Sequence, residues 1–90
     1  MARVRFTSHL HRFFDLPASV HVEAGTVAEL VQRLDAEWPG LGFYVTDEQG
    51  RLRQHVAIWI DGRQVRDRER LGDELTADAE VHVLQAWSGG

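Results

Sequence analysis

Between residues 27 and 34 the apolar side chains Val27, Leu30, Val31 and Leu34 recur at helical spacing, while segments on either side alternate apolar and polar residues with period two. A chain patterned in this way has one helical stripe to bury and several half-buried strands to receive it. Its fold is therefore a sheet with a helix on one face. Arg3-Val4-Arg5-Phe6-Thr7 predicts a strand with Val4 and Phe6 inward, and Ser19-Val20-His21-Val22-Glu23 a second with Val20 and Val22 in the core. The two read as an antiparallel hairpin with a long connection through Phe13-Phe14-Asp15-Leu16-Pro17. Thr26, with Glu29 three residues on, reads as a capping box that opens the helix. The helix should end near Trp38, because the residue before Pro39 is pushed out of the helical region and Gly40 and Gly42 loosen the chain further.

Residues 43–55 carry turn formers and charge, notably Asp47-Glu48-Gln49-Gly50, and read as an irregular excursion with one short helical turn. The pattern then sharpens into Val56-Ala57-Ile58-Trp59-Ile60, Asp61-Gly62 and Arg63-Gln64-Val65, a hairpin whose Asp-Gly suits the positive φ angles of a type I′ turn. Arg66 to Glu74 reads as a solvated charged loop, Leu75 packs back, Thr76-Ala77-Asp78-Ala79 turns, and Glu80 to Ala86 forms the last strand. One helix crossing back over a hairpin is the β-grasp arrangement: an α+β fold with a mixed sheet of four or five strands and one main helix on one face. The right-handed crossover rule places the first and last strands side by side and parallel at the centre. If Val56, Ile58, Ile60, Val81 and Val83 face the helix, Trp59 and Leu84 share the uncovered face with Ala57, His82 and Ala86. Such an apolar patch marks a partner surface.

Composition narrows the functional classes. The net charge of −4 removes the long-range attraction to phosphate that drives nucleic-acid binding, so nucleic acid is not an expected partner. No apolar run approaches the roughly 20 residues a membrane helix needs, and Met1-Ala2-Arg3-Val4-Arg5 opens directly into a strand pattern without a signal-peptide core, so a cytoplasmic protein is expected. Without cysteine there is neither a thiol nucleophile nor a thiolate metal site. His9 and His11, with His21 across the hairpin, lack a carboxylate or thiolate at matching spacing; no metal and no cofactor are assigned. All ten basic residues are arginine, so the chain offers no side-chain ammonium to acylate. The complete one-domain pattern predicts a monomer when free.

The chain closes with Trp87-Ser88-Gly89-Gly90 directly after the last strand. With the opening Val4-Arg5-Phe6, the helix start Gly25-Thr26-Val27 with Leu30 and Leu34, and Val56-Ala57-Ile58-Trp59-Ile60-Asp61-Gly62, this end resembles the MoaD/ThiS family of ubiquitin-like sulfur carriers over essentially the whole chain. Family members carry Asn-Gly where this chain has Asp61-Gly62, and Gly-Asp-Glu-Val where it has Asp78-Ala79-Glu80-Val81.

The resemblance implies a β-grasp domain over residues 1–86 and a flexible tail over 87–90. It implies that an E1-like adenylating enzyme of the MoeB/ThiF type activates the carboxylate of Gly90, which becomes a thiocarboxylate that donates sulfur. Gly89 and Gly90 are then the reacting end, and Trp59, Leu84, Trp87 and Ser88 the partner-binding residues. The chain would be a carrier and substrate rather than an enzyme, serving at most as the non-catalytic small subunit of a synthase. Length and the 43–55 excursion are closer to the molybdopterin-synthase small subunit and cysteine-forming carriers than to the shorter thiamine type, and molybdopterin is taken first as the destination, with a molybdopterin synthase large subunit consuming the sulfur. Cysteine, thiamine or tRNA thiolation, or conjugation to protein lysines, are the alternatives.

Overall fold

In the computed structural model, which describes residues 1–7, 10–12 and 14–85, β1 (Ala2–Phe6) and β2 (Ser19–Val22) pair antiparallel as the first hairpin. The long connection between them holds a short 3-10 turn at Leu10–Arg12, with Leu10 and Leu16 buried. Helix α1 (Val27–Glu37) follows, then a short helix α2 (Leu41–Val45), β3 (Val56–Ile60), the two-residue β4 (Arg63–Gln64) and β5 (Glu80–Gln85). The strands form one mixed sheet in the order β2-β1-β5-β3-β4. β1 and β5 run parallel at its centre, and β3 pairs antiparallel with β5. This is the expected β-grasp fold, with five strands.

α1 starts at Thr26 because every early N–H there has a partner. Thr26 Oγ1 accepts from Glu29 N (3.2 Å), and Leu71 and Asp73 carbonyls take the N–H groups of Ala28 (2.9 Å) and Val27 (3.1 Å). Glu29 reaches back as in a capping box, but its Oε1 takes the N–H of Gly25 (2.7 Å). Val27, Leu30, Val31 and Leu34 are all buried against the sheet, each contributing about 1.5–3 kcal/mol relative to exposure. Opposite them the sheet supplies Val4, Val22, Val56, Ile58, Val81 and Val83, all buried, while Phe6, Val20 and Ile60 are half-buried at the margin of the same core. The helix stops at Trp38, whose N–H still bonds Leu34 O and whose indole N–H donates to Asp15 O (3.1 Å).

Three local expectations change. The helical turn in the excursion begins earlier than residue 43: Gly40, at φ 98, caps α2, and Gly42 lies inside it. Both glycine N–H groups donate to Asp35 Oδ1 (3.1 and 2.9 Å), and a Cβ on Gly42 would stand 2.9 Å from Asp35 Cβ. Glycine there lets α2 lie against α1 rather than loosening the chain. The run from Arg66 to Glu74 is not merely solvated charge. Asp67 accepts N–H groups of Glu69, Arg70 and Gly72, Asp73 accepts those of Arg66 and Asp67, and Leu71 is buried at φ 55. Arg68 donates to the carbonyls of Arg53 (2.8 Å) and Val56 (3.0 Å). The charges shape the loop by taking up backbone groups.

The Asp61-Gly62 turn behaves as expected, with φ 51 and 84. Asp61 also exchanges two bonds with Glu80, its N–H donating to Glu80 O (2.8 Å) and its Oδ1 accepting Glu80 N–H (2.9 Å). The turn thereby fixes where β5 begins.

Candidate functional site

The central strand β5 ends at Gln85, the last described residue. Residues Ala86, Trp87, Ser88, Gly89 and Gly90 lie outside the described residues, as does His9. What the structure shows is the end of β5 and the face around it.

Alternation along β5 turns Val81 and Val83 into the core and leaves His82 and Leu84, both half-buried, on the other side. On β3, Val56 and Ile58 are buried while Ala57 and Trp59 share the face of His82 and Leu84. Trp59 stands opposite His82 and Gln64, and Leu84 opposite Ala57, so Trp59 and Leu84 are diagonal neighbours across the β3–β5 pair. Neither belongs to the hydrophobic core or packs against it. Both lie on the sheet face turned away from α1, as the parity of the sequence indicates.

Toward β1 and β2 this face becomes charged. Arg5 stands opposite His82 and Ser19, and Arg3 opposite Glu80 and His21. Arg3 holds Glu80 through two contacts, 2.7 and 3.3 Å, with both side chains about 40% exposed, a pair worth at most about 1 kcal/mol. Arg5 is exposed, and among the described residues no acidic side chain pairs with it. The face thus joins an apolar half, Trp59, Ala57 and Leu84, to a cationic half. The apolar half lies toward the C-terminal end of β5, because that strand runs from Glu80 toward Leu84.

At the end of β5 lies a group that sequence reasoning missed. Gln85, the last residue of β5, occupies the inward parity position after Val81 and Val83, and its Oε1 accepts the phenol O–H of Tyr44 at 2.6 Å. The Tyr44 ring meets Phe14 (6.0 Å, 82°) and His55 (6.2 Å, 87°) edge-on. The signal was the polar Gln85 at the end of an apolar row, which called for a donor. That the donor comes from α2 depends on the tertiary fold. Next to it, Phe43 is 64% exposed, with the Arg53 guanidinium 4.7 Å over its ring and Arg53 Nε donating to its carbonyl (2.8 Å).

Among the described residues no group of three or more His, Asp or Glu side chains is arranged to hold a metal ion. His11 Nδ1 lies 3.0 Å from Leu16 O, and His21 is exposed on β2. The Asp67 carboxyl is held below its usual range, chiefly by the Arg70 N–H, and Asp47 likewise by the Arg51 N–H. Both groups organise turns. No described helix is long and apolar enough to cross a membrane.

Against known proteins, the ThiS family model matches residues 9–90. The chain belongs to the ThiS family. It is thus one of the ubiquitin-like sulfur carriers. Its fold is shared with a chain of the Amycolatopsis orientalis BexX/CysO complex, at TM-score 0.87 and 20% identity over 100% of both chains. Mycobacterium tuberculosis CysO superposes at 0.84 and 21% identity, covering 97% of this chain and 100% of that one. SAMP1 of Haloferax volcanii does so at 0.80 and 22%, covering 99% and 98%. No curated protein matches the sequence significantly.

Proposed function

We propose that this ThiS-family chain is a cytoplasmic sulfur carrier: a ubiquitin-like domain over residues 1–86 and a tail over 87–90 whose Gly90 carboxylate is the reacting group. The observation that carries the reading is the coincidence of family membership with a Gly-Gly end placed five residues beyond the central strand of a β-grasp sheet. Extended, those five residues reach about 17 Å, enough to carry a carboxylate from the end of β5 into a partner's active site. Glycine suits that path because it has no Cβ and adopts backbone angles closed to other residues.

A carboxylate has no leaving group. An E1-like partner of the MoeB/ThiF type supplies one: a Gly90 oxygen attacks the α-phosphorus of ATP, pyrophosphate departs, and an acyl adenylate forms. Hydrosulfide from the sulfur donor then attacks the acyl carbon, the C–O bond to AMP breaks, and AMP departs to leave the thiocarboxylate. This chain contributes the acyl group and the docking surface, for which Trp59, Leu84, Trp87 and Ser88 are the candidates. The first consuming enzyme to test is a molybdopterin synthase large subunit. A second reading, delivery to a different sulfur-consuming enzyme, draws on the likeness to the chain in the BexX/CysO complex. A third, conjugation to protein lysines, draws on the likeness to small archaeal modifier protein 1.

The test is incubation with an E1-like enzyme, ATP and a sulfur donor, read by intact mass. Wild type should gain the mass difference between sulfur and oxygen. Deletion of Gly90 should abolish that gain, and Gly89→Val should impair it because a β-branched side chain adds bulk and restricts the backbone. An unchanged mass gain in the deletion would refute the carrier assignment.

A further inference from the structure

The end of β5 is held less firmly by the sheet than its central position suggests. On the β1 side the pairing runs only to Phe6 opposite Val83, with Thr7 N–H donating to Val83 O (3.2 Å). On the β3 side Gln85 still faces Val56. Beyond Val83, therefore, β5 has a described strand on one side alone. Frayed strand ends are ordinary, and a tail that must be presented to a partner gains nothing from a root that wanders.

Tyr44 supplies the missing restraint. Its hydroxyl donates to Gln85 Oε1 at 2.6 Å, and its ring is gripped edge-on from two sides, by Phe14 on the β1–β2 connection and by His55 just before β3. Its backbone belongs to α2, whose entry is bound to α1 through the Gly40 and Gly42 N–H bonds to Asp35 Oδ1. A continuous path of short contacts thus runs from α1 through Asp35, α2 and Tyr44 to the last residue of β5. Gln85 fits this role better than a third apolar residue would: an apolar side chain would pack, but only a hydrogen bond fixes direction as well as distance.

We propose that Tyr44 is a positioning residue, its bond to Gln85 fixing the end of β5 from which the Gly89-Gly90 terminus is presented. The proposal rests on the carrier reading for its kinetic consequence, but not for its structural one. A pre-aligned root lowers the ordering entropy lost when the tail enters the activating enzyme, so it acts on binding of the carrier. Once the tail is seated, the partner's own contacts hold Gly90, and the chemical step is indifferent to Tyr44.

The test uses the full chain. Tyr44→Phe keeps the ring and removes the hydroxyl, and Gln85→Met removes the acceptor from the other side. In ATP–pyrophosphate exchange with an E1-like enzyme, each variant should raise the KM for the carrier about threefold to tenfold with kcat unchanged, the range covered by one hydrogen bond. The double variant should be no worse than either single one, because both remove the same bond. Independently of any enzyme, the backbone heteronuclear NOE at Gln85 and Ala86 should fall in both variants while that of β3 and α1 is unchanged. An unaltered NOE at Gln85 and Ala86, an unaltered KM, or additive effects in the double variant would each overturn the proposal. If no E1-like enzyme accepts wild type, the carrier reading fails and the NOE alone decides whether Tyr44 aligns the tail.

Discussion

Replacing Gly42 with alanine sets two effects of opposite sign against each other. Gly42 lies within α2, and inside a helix alanine is favoured over glycine by about 1 kcal/mol. The new Cβ, however, would stand 2.9 Å from Asp35 Cβ and 3.0 Å from its Cγ and Oδ1. Asp35 Cβ is fixed to the backbone of α1 and cannot rotate away. The carboxylate can, but only by giving up its bonds from Gly40 N (3.1 Å) and Gly42 N (2.9 Å). Overpacking of this kind costs about 1–3 kcal/mol, and each lost bond about 0.5–1.5 kcal/mol. The unfavourable terms exceed the propensity gain, so Gly42→Ala should destabilise the protein by about 1–3 kcal/mol. For a domain of this size that lowers Tm by about 4–8 °C per kcal/mol. Urea unfolding at neutral pH, followed by far-UV circular dichroism, measures it directly. In an Asp35→Ala background the same substitution should cost less, because the two capping bonds are already gone. A Gly42→Ala protein as stable as wild type, or more so, would refute the close packing of α2 on α1.

Trp59→Asp should weaken binding to the activating or sulfur-consuming enzyme at least tenfold while leaving the far-UV spectrum intact, because Trp59 lies outside the core; an unfolded variant, or unchanged affinity by calorimetry, would count against that. Asp67 makes stability depend on acid. Its folded carboxyl titrates below the unfolded value, first through the Arg70 N–H and then those of Gly72 and Glu69, so its contribution is present above about pH 4 and lost as pH falls through the folded value. The amide shifts of Glu69, Arg70 and Gly72 should titrate with that carboxyl, and Asp67→Asn should flatten the decline of the unfolding midpoint below about pH 4. A carboxyl that titrates at or above the free-aspartate value would contradict the hydrogen-bonded loop.

Local signals settled much of this protein. The stripe Val27, Leu30, Val31, Leu34 is periodic enough to name α1 and its buried face, Thr26 and Glu29 mark its start, and Asp61-Gly62 encodes a turn few other pairs would make. Strand parity alone put Trp59 and Leu84 on the uncovered face, because alternation leaves no freedom once Ile58 and Val83 are committed to the core. The Gly89-Gly90 end is a reading of the sequence alone, and it lies outside the described residues. Gly89-Gly90 is a composition that matters only by its place after a strand, and that place is written in the order of segments.

What only the tertiary structure decided are the contacts between segments distant in sequence. Gly42 reads as a loosening residue until Asp35 is seen against it, and the charges of Arg66 to Glu74 read as solvent-facing until their carboxylates are seen closing on the loop's own backbone N–H groups, while the carbonyls of Leu71 and Asp73 cap α1. Tyr44 and Gln85 lie 41 positions apart and carry no mutual pattern. Periodicity reports which face of an element avoids water, a property of each segment alone. A hydrogen bond between two half-buried polar groups depends on where two segments come to rest, and that is set by the packing of the whole core.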